Sequence, residues 1–389
     1  MNDLEQVRRN PGPAILTAAV GVLVGVLLGA TVFNGDGGAA STSPPAGTVR
    51  TAEVDGQAPP RDGDRGGKTK LPPEASGGSN GTAESLGATG RAPGAIEVAL
   101  DHAVVAARPK GSLELAVWAE GWSAPAVSPK AALNARSRMW SMSKALTAIA
   151  LLRLHETKGT EPERDVLAAI AAALRRSENC RQRRVVLALQ EAAESPQGAV
   201  AVIRGVLKQA GIDPDSVVLP SEPKPPDSPQ CAPILGELNN RPALQFGTAE
   251  WRVSDGAAFG RALAAGAFGA TGVWVREQMA AEKGRSTDPG VTKDDYTVPS
   301  FSWGAGNAFG QFDGLAYKGG WGGADRGDYL VAQVVSMQVG GLPVGVMGVF
   351  RPAEQPTAGD DPGKTSGPAE LERAFKALAP VLRKQIAGR

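Results

Sequence analysis

The chain has 389 residues, of which 41 are basic and 40 acidic, and its formal net charge is +1. Charges balanced this closely give no support for electrostatic binding to nucleic acid. Two cysteines and two widely separated histidines are a poor set of metal ligands, so the sequence predicts no metal site and no cofactor. The length allows one large or two medium domains.

An uncharged apolar stretch follows a short tail at the N-terminus. The tail, residues 1–13, contains Arg8 and Arg9, and residues 14–33 carry no charge. A helix of that length reaches roughly 30 Å, the thickness of the hydrocarbon core of a membrane. The positive-inside rule then predicts a single-pass anchor with its N-terminus in the cytoplasm and the rest of the chain outside. The alternative is a cleaved signal peptide and a secreted protein, although the stretch exceeds the ~7–15 residues of a typical signal core.

Residues 34–92 are mostly Gly, Pro, Ser, Thr, Ala and Asp. A segment of this composition cannot bury enough apolar surface to offset the entropy of ordering it. We therefore predict a disordered tether, with an average reach of roughly 45 Å. Residues 93–389 are predicted to form one globular domain.

Within the globular part, the spacing of apolar residues is first mostly helical and later alternates. It predicts helices at 94–107, 141–155, 165–176, 183–193, 198–211, 255–266 and 370–386 and strands at 112–121, 314–321, 329–339 and 343–352. A Pro-rich loop covers 214–233. This order fits a sheet assembled from both ends of the chain, with a helical insertion between them, better than alternating βαβ units.

A serine precedes a lysine by one turn at the start of the helix predicted for 141–155. Ser141 and Lys144 are three residues apart, so their side chains share a helix face. Serine is a weak nucleophile near neutral pH and needs a base. A lysine can serve if burial and a second cation lower its pKa. The pair alone also fits an ordinary helix start with an exposed lysine.

Two later segments complete a pattern. Ser177-Glu178-Asn179 lies between two predicted helices, and Lys318-Gly319-Gly320-Trp321 lies on a predicted strand. S-x-x-K followed by S-D-N and K-T-G is the signature of class A β-lactamases and penicillin-binding proteins. The chain thus resembles a divergent member of the penicillin-recognising serine hydrolases, the superfamily of class A-like β-lactamases and D-alanyl-D-alanine carboxypeptidases.

The resemblance implies a mixed α/β (α+β) fold of the β-lactamase/transpeptidase type. Its antiparallel sheet would be flanked by the N- and C-terminal helices, with an all-helical lobe inserted. Ser141 would form an acyl-enzyme with Lys144 as its base. Ser177 would relay a proton to the leaving nitrogen, and Asn179 would hold Lys144 and the substrate amide.

The strand motif would supply the substrate-binding side of the site. Lys318 would bind the substrate carboxylate and depress the pKa of Lys144. Gly319 and Gly320 would let substrate approach the backbone, and the N–H group of Trp321 would form the oxyanion hole together with that of Ser141. The implied substrates are peptidoglycan D-Ala-D-Ala peptides or β-lactams.

Three features depart from the family pattern. The interval between Ser141 and Ser177 is short, which predicts a trimmed helical lobe. Gly319 stands where the family has a hydroxyl. Aligning Glu237-Leu238-Asn239 with the loop that carries the deacylating glutamate of class A β-lactamases puts Leu235 at the glutamate position. On that alignment, a β-lactam acyl-enzyme would be hydrolysed slowly.

The two cysteines give a separate expectation. Outside the membrane, Cys180 and Cys231 could form a disulfide. The bond would brace the Ser177-Glu178-Asn179 turn against the Pro-rich loop.

Two functional hypotheses remain open from the sequence. The first is a membrane-anchored extracytoplasmic serine hydrolase that acts on wall peptides or β-lactams. The second is a catalytically inactive relative that binds a cell-wall peptide or a protein partner. The departures from the family pattern and the long tether motivate the second hypothesis.

Overall fold

The computed structural model describes residues 90, 92–108, 110–225, 229–280, 304–322, 329–355 and 366–388. The predicted anchor, 14–33, and residues 34–89 of the predicted tether lie outside this part of the chain. No helix within the described ranges is long and apolar enough to cross a membrane. Gly90 and Ala92, which the sequence assigned to the end of the tether, contact the folded domain: the N–H of Gly90 donates to the carbonyl of Gly121, and Ala92 is buried.

Five strands form one antiparallel sheet in the spatial order β2-β1-β7-β6-β5. They are β1 (Gly111–Ala119), β2 (Ala126–Ser128), β5 (Asp313–Gly322), β6 (Leu330–Val339) and β7 (Leu342–Pro352). Two short strands, β3 (Ser137–Arg138) and β4 (Glu250–Trp251), pair with each other. The first and last thirds of the domain therefore build one sheet, as predicted.

Helices surround this sheet. In chain order they are α1 (Gly94–Ala107), α2 (Ser143–Lys158), α3 (Arg164–Arg175), α4 (Asn179–Ala192), α5 (Pro196–Gln209), α6 (Ala232–Leu235), α7 (Val253–Ala264), α8 (Gly269–Ala280), α9 (Ala305–Phe309) and α10 (Ser366–Leu382). The terminal helices α1 and α10 pack with α9 on one face of the sheet. The inserted helices pack on the other face. The predicted fold class is confirmed.

Both faces of the sheet are buried, because alternate side chains of a strand point to opposite faces. In β6, Val331 and Val335 point to the core beneath α1 and α10, whereas Ala332 and Val334 point to the core of the helical lobe. Helix α7 lies directly on the strands at Gly260, where an added Cβ would be 2.1 Å from the carbonyl oxygen of Val335. Close helix–sheet contact here requires glycine.

Several boundaries and elements differ from the sequence prediction, which also lacked the short elements α6, α9, β2, β3 and β4. Helix α2 begins at Ser143 rather than at Ser141, because residues 140–142 form a 3-10 turn. Helix α4 begins at Asn179 rather than at 183, because its polar first turn has no apolar periodicity. Helix α8 was missed, since its sequence GATGVWVREQMA contains two glycines and has little amphipathic pattern.

Candidate active site

A tight turn presents Ser141. Trp140–Met142 form a 3-10 turn, which the Ser143 hydroxyl closes by donating to the carbonyl of Trp140 at 2.7 Å. Trp140 has φ +44°, a left-handed conformation that non-glycine residues seldom adopt. Strained backbone of this kind persists only where the surrounding structure holds it, and it clusters at functional sites. Ser141 is partly exposed and lines a cleft.

Lys144 lies one turn further, in the first turn of α2, and its side chain is only 3% exposed. Its Nζ donates to Ser177 Oγ at 3.2 Å and to Asn179 Oδ1 at 2.8 Å, and it also donates to the carbonyl of Ser177. Ser177 has φ +57° and is buried. The turn before α4 thus surrounds the Lys144 ammonium with oxygen atoms.

A second buried ammonium reaches the same hydroxyl from the sheet. Lys318 on β5 is 2% exposed, and its Nζ donates to Ser177 Oγ at 2.9 Å and to the carbonyl of Gly319 at 3.0 Å. A hydroxyl oxygen has two lone pairs and can accept from both lysines. Burial and the second positive charge disfavour the protonated form of Lys144, whereas its oxygen acceptors favour that form.

Strand β5 approaches the Ser141 turn through glycines. A Cβ on Gly320 would lie 2.9 Å from the carbonyl oxygen of Met139 and 3.0 Å from the backbone nitrogen of Ser141. A Cβ on Gly322 would lie 2.7 Å from ring atoms of Trp140. Glycine at both positions allows β5 to come this close to the turn.

The cleft between these elements has a volume of ≈ 390 Å³. One wall is a face of α4 formed by Asn179, Gln182, Arg183 and Val186, which follow helical spacing. A second wall is the segment 243–248, and Trp321 of β5 also lines the cleft. Among the described residues that line it, none is a carboxylate, whereas Lys144 and Arg183 are cations. The cleft is therefore suited to an uncharged or anionic ligand.

The two cysteines join α4 to the loop that leads into the second wall. Cys180 and Cys231 form a disulfide across 51 residues, with their Cα atoms 5.2 Å apart. Leu235, the residue that the sequence comparison predicted at the glutamate position, is buried against this disulfide. Glu237 is exposed and does not line the cleft. In the described part of the chain, no carboxylate of this loop faces Ser141.

All eight residues singled out by sequence as catalytic or substrate-binding lie around this cleft or on the strand beside it. The sequence analysis missed Gln182 and Arg183, although their spacing from Asn179 on one helix would have identified them once α4 was known to start there. It matched 236–251 to the loop that carries the deacylating glutamate of class A β-lactamases, but it did not predict that 243–248 of this segment line the cleft. Within the described residues, no group of three or more His, Cys, Asp or Glu side chains could hold a metal ion.

Comparison with known proteins gives distant similarities of fold. No family model and no curated protein matches the chain. A β-lactamase from Streptosporangium roseum is 15% identical over 75% of this chain and 100% of its own, with a TM-score of 0.48. The class A β-lactamase of the last common ancestor of Gram-negative bacteria is 17% identical over 74% of this chain and 99% of its own, with a TM-score of 0.47. Similarity at this level carries no information about activity.

Proposed function

We propose that this chain is a serine acyl-transfer hydrolase with Ser141 as its nucleophile. The observation that supports this most is the contact of two buried ammonium groups, those of Lys144 and Lys318, with the single hydroxyl of Ser177. Burying two like charges is costly, and a site for proton transfer and anion binding accounts for their position. Ser141 lines the same cleft, one turn before Lys144.

The proposed reaction begins after the Lys144 ammonium has lost one proton to solvent, which leaves Nζ as a neutral amine. Its Nζ takes the proton of Ser141 Oγ as that oxygen bonds to the substrate carbonyl carbon. The C–N bond then breaks, and the leaving nitrogen receives the proton through the hydroxyl of Ser177. An ester on Ser141, the acyl-enzyme, remains. Backbone N–H groups of Ser141 and Trp321 would stabilise the oxyanion, a contribution worth ~3–4 kcal/mol of barrier for each donor.

The substrates that fit this proposal are peptidoglycan D-Ala-D-Ala peptides and β-lactams. Both carry a carboxylate, and Lys318 is the ammonium that would pair with it. Gly319 offers no hydroxyl to this carboxylate, so its binding would depend more strongly on Lys318. The cleft, whose described lining contains no carboxylate, would not repel such an anion.

Residues 14–33 would hold the enzyme at the outer face of the cell membrane. The uncharged stretch and the arginines before it support this location. Membrane fractionation of cells that express the full chain, compared with a chain lacking residues 1–33, tests it. If cells expressing the full chain instead yield a soluble protein that has lost its N-terminal residues, the chain is cleaved and secreted.

A fluorescent penicillin and a fluorophosphonate probe test the proposed reaction. We expect covalent labelling of the wild type at Ser141, located by mass spectrometry, and no labelling of Ser141→Ala. Ser112→Ala is the control, since Ser112 is exposed and does not line the cleft, and it should still be labelled. Absence of labelling in the wild type under all conditions would contradict the proposal and favour the inactive binding module.

A further inference from the structure

Helix α4 begins at Asn179, which lines the cleft, and the helix has no side-chain cap at this end. The side chain of the N-cap residue, Glu178, makes no capping hydrogen bond. Its carboxylate instead contacts the guanidinium groups of Arg176 at 2.6 Å and Arg181 at 3.7 Å. The first N–H groups of a helix have no partners within the helix, so an uncapped first turn frays readily. Ser177, just before this turn, is in the left-handed conformation.

The disulfide is attached to this same turn. Cys180 directly follows Asn179 and is 1% exposed, and its partner Cys231 is 5% exposed and lines the cleft. The bond therefore connects the residue beside Asn179 to a loop residue that also lines the cleft.

The loop on the other side of the bond, residues 229–240, packs on the core of the helical lobe near its C-terminal end, through Leu238. Residues 229–240 form only short helical turns. Their buried apolar side chains, Cys231 and Leu235, form a small cluster with Cys180 that is separate from the two main cores. The following residues are tied to α4 independently. Arg183 donates to the carbonyl of Asn239 at 3.3 Å, and the side chain of Gln190 accepts from the N–H of Leu244 at 2.8 Å.

From this arrangement we propose that the Cys180–Cys231 disulfide is a positioning device for the active site, so that acylation depends on its oxidation. The inference rests on the proposed function of this cleft. Without the bond, the first turn of α4 and residues 229–238 loosen together, while 239–244 stay bound to α4. The contacts of Ser177 and Asn179 with Lys144 are then no longer fixed. Lys318 loses its contact with a fixed Ser177 but stays on β5 and keeps its hydrogen bond to the carbonyl of Gly319.

Loss of the disulfide should affect the rate of acylation and the binding of substrate differently. Proton transfer through Lys144 needs its partners in place, and displacements of about 1 Å can cost on the order of 100-fold in rate. Binding of a substrate carboxylate at Lys318 does not need the first turn of α4. Loss of the disulfide should therefore lower the first-order rate constant of acylation and leave the half-saturating probe concentration nearly unchanged.

The test compares the full-length chain in its oxidised form, the same chain after reduction, and the double variant Cys180→Ala/Cys231→Ala. Hydrogen exchange is followed at 177–183 and 229–238, with α5 as the internal reference. Acylation by the fluorescent penicillin is followed over a range of probe concentrations. We expect faster exchange in those two segments only, and a rate constant lower by roughly 10- to 100-fold in both disulfide-free forms. Reductant should have no further effect on the double variant.

Either of two results would overturn the inference. One is unchanged exchange in both segments after the bond is lost, and the other is acylation of the disulfide-free forms at the oxidised rate. Failure of the oxidised wild type to be acylated would contradict the proposed function alone. The exchange measurement would still decide whether the disulfide holds the turn that carries Asn179.

Discussion

At the scale of single residues, the site is organised around the hydroxyl of Ser177. Lys144 and Lys318 reach it from a helix and from a strand at 3.2 and 2.9 Å. The proposed chemistry gives the two lysines different tasks, although they share this contact. Lys144 would move a proton, and Lys318 would bind a carboxylate. Two probes that differ in that carboxylate can separate the tasks.

We expect Lys144→Gln to slow labelling by both probes by roughly 10²–10⁴-fold, the usual contribution of a general base. Lys318→Gln should weaken labelling by penicillin, which has a carboxylate, far more than labelling by a fluorophosphonate, which has none. Labelling rates measured against probe concentration check both expectations, and circular dichroism confirms that the variants fold. If Lys318→Gln slows labelling by both probes equally, Lys318 is not the carboxylate site.

Gly320 gives a second residue-scale prediction. An added Cβ would press on Met139 and on the Ser141 backbone at about 3 Å, so Gly320→Ala should displace the Ser141 turn. We expect a loss of labelling and a decrease of ~1–3 kcal/mol in the free energy of unfolding, the usual cost of overpacking. Gly205→Ala on α5 is the control, because nothing lies within 4 Å of its added Cβ. It should keep full labelling and lose no stability.

At the scale of elements, the disulfide links α4 to a loop 51 residues away in sequence. Constraining a loop of that length in the unfolded chain is worth about 4 kcal/mol in the chain-entropy relation. The variant Cys180→Ala/Cys231→Ala should lose about that much free energy of unfolding, measured by urea denaturation under oxidising conditions. In reductant, wild type and variant should have similar stability. A variant as stable as the oxidised wild type would contradict this account.

An ion pair between α10 and Lys110, the residue before β1, gives a prediction about pH. Glu370 on α10 is 3% exposed and contacts Lys110 at 2.7 Å and Arg373. Burial acts to raise the pKa of Glu370, but hydrogen bonds and charges from Lys110 and Arg373 outweigh it and hold the pKa below its ordinary 4.5. The unfolded chain therefore binds this proton more tightly. The stability from Glu370 is present above pH 4.5 and is lost as the pH falls through the lower folded-state value.

Between pH 6 and about pH 3, the unfolding free energy of Glu370→Gln should consequently fall less than that of the wild type. The difference should be ~1 kcal/mol or less, since both cationic partners of Glu370 are exposed. Urea denaturation at the two pH values measures this difference. Glu354→Gln, at an exposed glutamate, is the control and should leave the pH dependence as in the wild type. If the unfolding free energy of Glu370→Gln falls with pH as steeply as that of the wild type, Glu370 does not contribute to the pH dependence of stability.

The element scale also shows where sequence reasoning stops. The amphipathic spacing of α3 and α5 and the apolar, β-branched runs of β6 and β7 predicted those elements within a few residues, because such patterns are recorded in neighbouring residues. The starts of α2 and α4 were misplaced by two and four residues. Both lie at the active site, where contacts with distant residues, rather than local periodicity, determine the backbone conformation.

At the scale of the whole molecule, the cleft contains the proposed nucleophile and base, and its described lining holds no carboxylate that could activate water for deacylation. Leu235 fills the aligned position and packs on the disulfide. We expect a β-lactam to produce a burst of one equivalent followed by slow turnover. Intact-mass spectrometry over time should show a persistent acyl adduct on Ser141. Rapid turnover without an adduct would show that another group deacylates the enzyme.

The sequence by itself determined the fold class, most of its elements and the three motifs from which Ser141, Lys144, Ser177, Asn179 and Lys318 were chosen. These features are local, since periodicity and short motifs need only neighbouring residues. The tertiary structure alone decided that Lys318 reaches Ser177 across 141 residues, that 243–248 forms the second wall, and that Cys180 meets Cys231. Separation along the chain carries no information about distance in space, and only the packing of sheet, helices and loop brings these groups within bonding reach.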